Sequence, residues 1–125
     1  MPFPSFRDML DPLLRVLSDA PEGLLVRRAQ DLVADRLGLT LEERELRVPN
    51  GTQFLFRHRV NWAHDRLKRS QLSMTPRRGV WQLTSKGADL VRNHPHSLQP
   101  DEIRALSRAG HDVRLERCAS MMNPQ

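Results

Sequence analysis

Apolar residues recur at helical spacing through most of this chain. Phe6, Met9, Leu10, Leu13, Leu14 and Leu17 lie three and four residues apart, which predicts a first helix capped by Ser5 and laid on a core. Pro12 sits inside that pattern, and its missing N–H and its ring predict a kink or a new start there. Asp19-Ala20-Pro21-Glu22-Gly23 ends the helix. The short apolar run from Gly23 to Val26 reads as a small strand able to join a later hairpin as its third strand. A second helix, roughly Arg27 to Leu37, turns Ala29, Leu32, Val33 and Leu37 inward and closes at Gly38. Thr40-Leu41-Glu42-Glu43 has the form of a capping box and starts a short helix to about Arg47. Its Glu42, Glu43 and Glu45 disfavour phosphate, so this element is expected to point away from nucleic acid.

Val48-Pro49-Asn50-Gly51 breaks the chain ahead of the longest amphipathic stretch, Thr52 to Gln71, with Thr52 as N-cap. At 100° per residue, Phe56, Val60, Ala63 and Leu67 form its buried stripe. Leu55, His58, Trp62, Asp65 and Arg69 lie on roughly the opposite side, with Phe54, Asn61, Arg66 and Lys68 on the flanks. Apolar groups off the core stripe imply a second contact: a neighbouring helix, a subunit partner, or a base edge or flipped base. Leu72 to Thr75 and Val80 to Leu83 then flank a four-residue loop, Pro76-Arg77-Arg78-Gly79, at hairpin spacing. Leu72 and Met74 are expected to face the core from one strand, Trp81 and Leu83 from the other. Thr84 caps a further helix in which Ala88, Leu90 and Val91 return to the core, and Asn93-His94-Pro95 stops it. Beyond His96 the pattern weakens. Asp101 to Ala109 reads as a helix with Ile103 and Leu106 inward, and the end through Met121, Met122 and Pro124 reads as a linker or tail. The organisation is thus a folded unit over 1–95 and a C-terminal helix with linker or tail over 96–125.

Charge changes the picture in one place. The chain of 125 residues has net charge +5, and 18 of its 20 cations are arginine. Thr52 to Lys86 holds Arg57, Arg59, Arg66, Lys68, Arg69, Arg77, Arg78 and Lys86 against Asp65 alone, a local +7 that leaves the remainder at −2. A basic helix with an adjacent basic turn is a footprint suited to double-stranded DNA, and the guanidinium fork suits phosphate and guanine. One cysteine, Cys118, cannot form an intrachain disulfide, and neither a membrane span nor a signal peptide is evident. A cytoplasmic location is the expectation.

The candidate chemistry is recognition, not catalysis. Asn50, Thr52 and Gln53 cluster where the helix N-terminus would favour a phosphate. Arg57, Arg66, Lys68, Arg69, Arg77 and Arg78 are candidates for phosphate or guanine; Arg59 borders the core stripe. Gln53, His58 and Asn61 are candidates for base edges, and Asn and Gln suit the N7 and N6 pair of adenine. Trp62, with Leu55 or Phe54, is the apolar surface best placed to receive a protruding methyl group. His94 and His96, and His58 and His64, are not joined by further ligands into a metal set. No Ser/His/Asp order or phosphate-cradling glycine loop stands out, and no cofactor is expected.

The order helix, strand, helix, helix, two-stranded wing is that of a winged helix-turn-helix, an α+β and mainly helical fold with a small two- or three-stranded sheet. The combination Pro49-x-Gly51, then Arg59-Val60-x-Trp62-Ala63-x-x-x-Leu67-Lys68, then Pro76-Arg77-Arg78-Gly79-Val80-Trp81-x-Leu83-Thr84-x-x-Gly87 resembles the N-terminal domain of Mrr-type restriction proteins, the modification-dependent enzymes that cut foreign methylated DNA. The resemblance runs from about Phe3 to about Pro95. It implies a DNA-binding module that reads a modified base, N6-methyladenine or 5-methylcytosine, ahead of a separate nuclease domain of the PD-(D/E)xK type. That motif needs a Glu or Gln two residues before a lysine. The only lysines are Lys68 and Lys86, preceded at that distance by Arg66 and Thr84. Two rival readings use the same fold: a sequence-specific transcriptional regulator, and a dimeric protein-interaction module.

Overall fold

The computed structural model describes residues 4–108. Cys118 and the tail through Met121, Met122 and Pro124 lie outside the described residues. The first helix, α1 (Phe6–Ser18), starts where Asp8 accepts a hydrogen bond of 2.9 Å from the Ser5 backbone N–H. It passes through Pro12 as one element, so the expected new start does not occur. Met9, Leu10, Leu13, Leu14 and Leu17 are all fully buried on either side of the proline. At about 1.5–3 kcal/mol for each buried side chain, that packing outweighs the roughly 3 kcal/mol a mid-helix proline costs.

The short strand β1 (Leu24–Leu25) leads directly into α2 (Val26–Leu37), which closes on Gly38 at φ +68°, the left-handed geometry that glycine adopts without steric cost. Next comes α3 (Leu41–Glu45), held by the reciprocal Thr40 and Glu43 capping bonds of 3.1 and 2.8 Å. It ends two residues before Arg47, because Arg47 forms an isolated antiparallel bridge with Phe54.

That bridge also moves the start of the organising helix. α4 runs Leu55–Arg69 with Phe54 as its N-cap residue, not Thr52. The Thr52 backbone N–H and hydroxyl both donate to Asn50 Oδ1, at 3.1 and 2.7 Å, so Thr52 belongs to a turn ahead of the helix. The expected stripe of Phe56, Val60, Ala63 and Leu67 is buried.

Gln71 turns the chain at φ +64° into β2 (Ser73–Arg77) and β3 (Val80–Leu83). The sheet order is β1-β3-β2, antiparallel throughout, so β1 is the expected third strand. Arg77 pairs with Val80, leaving a two-residue turn, Arg78-Gly79, in place of the expected four. Trp81 and Leu83 are buried as expected, but Met74 is 39% exposed and Ser73 takes the inward place. Leu72 precedes the strand, bonded to Leu67 and Thr84, so the alternation begins one residue late, and the pairing shifts again between Met74 and Arg77.

Thr84 caps α5 (Ser85–Asn93) by accepting the Gly87 N–H at 3.1 Å. A helical stretch over 100–108 follows, its Ile103 and Leu106 partly buried against the core. Leu98 is itself buried, and its N–H donates to Asp11 at 3.0 Å. The whole is a mainly helical α+β fold of winged-helix type: α1, α2 and α4 pack around one core, with the three-stranded sheet and α5 at its side. None of the described helices is long and apolar enough to cross a membrane.

Candidate nucleic-acid interface

The outer side of α4 lies between two clefts. The larger, about 640 Å³, is bounded by α4, the start of α2 and the wing turn at Gly79. Its shape depends on a backbone bond, in which the Val26 N–H donates to the Gly79 carbonyl at 2.9 Å and ties the wing to the first turn of α2. Arg27, Arg47 and Arg57 line it, with Thr52, Gln53 and Asn61.

Arg57 is fixed there: its guanidinium donates to Gln30 Oε1 and to Asp31 Oδ1, each at 2.9 Å, and lies 4.7 Å from the Phe56 ring centroid. Gln30 in turn donates to Asn61 Oδ1 at 2.6 Å. With its charge balanced by Asp31, Arg57 is held as part of the cleft wall. Arg27 and Arg47 remain exposed beside it.

The smaller cleft, about 420 Å³, lies on the other flank of α4, under the loop carrying Val48, Pro49 and Asn50. Leu55, His58, Arg59 and Trp62 form its floor, and Gln53 borders both clefts. Trp62 resolves the second contact that the sequence required. Its ring stacks on Phe6 of α1 at 4.3 Å and 15°, yet 42% of the residue stays exposed. The indole is thus positioned by a neighbouring helix and still presents surface to the cleft.

The remaining sequence candidates divide. Arg66 sits with its guanidinium 5.7 and 5.8 Å from the Phe6 and Trp62 rings, which braces the aromatic pair. Arg59 donates to the Pro4 carbonyl at 2.7 Å. Arg69 pairs with Asp65 at 2.9 Å, and Lys68 is exposed; neither lines either of these two clefts. Arg77 and Arg78 are exposed at the wing tip beside Gly79. Asn50 is engaged by Thr52 while lining the smaller cleft. His58 is exposed and tilted toward Trp62, with ring centroids 6.5 Å apart. His94 is accounted for by Leu90 and Glu102, at 2.9 and 2.7 Å. Among the described residues no cluster of His, Cys, Asp or Glu could hold a metal.

Arg27, Gln30 and Arg47 were not legible as cleft residues. For Arg27 a signal existed: Arg27-Arg28 occupies a first helical turn that contains no acid, the reverse of what the helix dipole favours. Basic residues placed against that preference answer to something outside the helix.

His64, on the inner side of α4, stacks on Trp81 of β3 at 4.0 Å and 7°. Burial, and then the nearby Lys68 charge, lower its pKa from 6.5 to about 4, Asp65 opposing, so the ring that joins helix to wing is neutral at physiological pH.

The family model described as the Mrr N-terminal domain matches residues 6–93, which is α1 through α5. The chain belongs to the Mrr N-terminal domain family. It is 38% identical over 116 residues to the type IV methyl-directed restriction enzyme EcoKMrr of Escherichia coli, a match covering 93% of this chain. The chain spans 38% of that enzyme's length. No solved structure matches it. The Mrr N-terminal domain match takes in both walls of each cleft and the whole wing.

Proposed function

We propose that this chain is the double-stranded DNA-docking module of a modification-dependent restriction system, targeting a nuclease domain that lies outside it. The observation that carries the reading is the pair of clefts flanking α4. One has a wall of arginines and amides joined to the wing; the other is an apolar hollow floored by Leu55 and Trp62. In this reading α4 enters the major groove, with Arg27, Arg47 and the wing arginines on phosphates and Gln53 and Asn61 toward bases. The methyl group of N6-methyladenine or 5-methylcytosine protrudes into that groove, and the exposed Trp62 surface is the apolar receiver beside it. The family membership and the restriction enzyme it resembles support the same assignment.

Two kinds of substitution separate the roles. Arg77→Gln and Arg78→Gln are expected to weaken binding to every duplex alike and to reduce the slope of log affinity against log salt by about 0.9 for each phosphate no longer neutralised. Trp62→Ala is expected to erase discrimination between methylated and unmethylated duplexes while phosphate-driven binding persists. Methyl preference unchanged in Trp62→Ala, in a variant whose melting shows it folded, would sink the assignment of that hollow.

A further inference from the structure

We infer that Asn61 reads a base edge as a hydrogen-bond donor, and so selects a keto base, guanine or thymine, at its position in the groove. The inference rests on the DNA-docking reading above and adds what that reading leaves open, the polarity of one base contact.

The Arg57 guanidinium carries donors only. The Gln30 atom facing it at 2.9 Å must therefore be the carbonyl oxygen, Oε1. Gln30 is 5% exposed and its amide cannot turn without losing that bond. Its other atom, Nε2, is thereby directed to Asn61, where it meets Oδ1 at 2.6 Å. Reversing either amide would set two donors face to face. Arg57 thus fixes the orientation of Gln30, and Gln30 fixes that of Asn61.

Asn61 is exposed on the wall of the larger cleft, and with Oδ1 turned to the buried Gln30 amide the group directed to a ligand is its Nδ2 amino group. The asparagine fork that reads adenine needs Oδ1 and Nδ2 side by side on N6 and N7, and here Oδ1 is engaged within the protein. N7 accepts on both purines and does not tell them apart, but a lone donor set against the neighbouring edge group matches O6 of guanine or O4 of thymine. It opposes the amino groups that adenine and cytosine present at the corresponding places. Asn61 is the reading residue, and Gln30, buried behind it, is a positioning residue.

The test is selection by the 125-residue chain from a duplex pool of random sequence, read by sequencing the bound fraction. The wild-type chain is expected to show one position with about tenfold preference for keto over amino bases. Gln30→Glu supplies two acceptors: one oxygen keeps Arg57, and the other takes Nδ2 of Asn61, which turns Oδ1 outward. The preference at that same position is then expected to invert to adenine or cytosine, an outcome that a merely structural role for Gln30 would not produce. Asn61→Asp reaches the same inversion from the exposed side, and decides the matter should Gln30→Glu fail to fold by circular dichroism. Duplex binding with no keto position, or with a preference that neither variant moves, would overturn the inference and leave the docking reading standing. No binding to any duplex at low salt would overturn both.

Discussion

Gly87→Ala is expected to lower the melting temperature by roughly 10–20 °C, the equivalent of about 3 kcal/mol for a domain of this size. A Cβ on Gly87 would lie 2.1 Å from the Leu72 carbonyl oxygen and 3.0 Å from its carbon. Both are backbone atoms, and that oxygen already accepts the Thr84 N–H at 3.0 Å, so it cannot retreat without breaking the bond that joins the base of the wing to α5. The overlap forces α5 away from the sheet and opens the contact beside Leu83, whose Cδ2 would also meet the new methyl at 3.0 Å. Gly38→Ala is the matched control. Its site has φ +68° and nothing within 4 Å, so only backbone strain of about 1 kcal/mol applies. Thermal unfolding followed by circular dichroism compares the two. A Gly87→Ala chain melting within a few degrees of the Gly38→Ala chain would mean that α5 is not seated against Leu72 as described.

The second large effect is acid sensitivity carried by His64. Its folded-state pKa is about 4, below the ordinary 6.5, because the ring is buried and its protonated form is disfavoured there. Above pH 6.5 both folded and unfolded chains hold the ring neutral, and the full stability is present. As pH falls below 6.5 the unfolded chain takes up a proton that the folded chain refuses, and stability declines until about pH 4, where the folded ring also protonates. The total is about 3 kcal/mol for a shift of this size. His64→Phe keeps an aromatic ring against Trp81, removes the titration, and also removes Nε2, a buried nitrogen with no hydrogen-bond partner. Urea unfolding of both chains is expected to give a difference that grows in favour of the variant by roughly 2–3 kcal/mol between neutral pH and about pH 4.5. A difference that stays constant with pH would show that His64 does not carry the acid sensitivity. Because this ring joins α4 to β3, its protonation loosens the helix from the wing, and duplex binding by the folded chain is expected to fall only as the pH approaches about 4.

Much of this architecture was legible because its signals are local. The stripe of Phe56, Val60, Ala63 and Leu67, the Thr40 to Glu43 capping box, the Gly38 closure and the Thr84 cap each need only a few neighbouring residues to be read, and each is present. The misreadings arose where a contact from outside the segment decided the outcome. Thr52 has the chemistry of an N-cap, but Asn50 holds its hydroxyl and the Arg47 to Phe54 bridge delays the helix to Leu55. Met74 follows the expected alternation on paper, but the bonds of Leu72 to Leu67 and Thr84 start the strand one residue late. At the candidate interface, basic residues could be counted but not sorted. Arg57 looks like a free cation until Asp31, 26 residues earlier, is brought against it. Trp62 shows its dual role only when Phe6 arrives from α1. His64 lies beside the apolar stripe, and nothing near it in sequence announces its stacking on Trp81.

Docking on duplex DNA and reading of a modified base are both measured by binding of the chain to one duplex prepared unmodified, with N6-methyladenine and with 5-methylcytosine, at two salt concentrations. Salt-sensitive binding with a clear preference for one modified duplex is the expected result. Equal affinity for all three would contradict modification reading, and no binding even at low salt would contradict DNA docking itself.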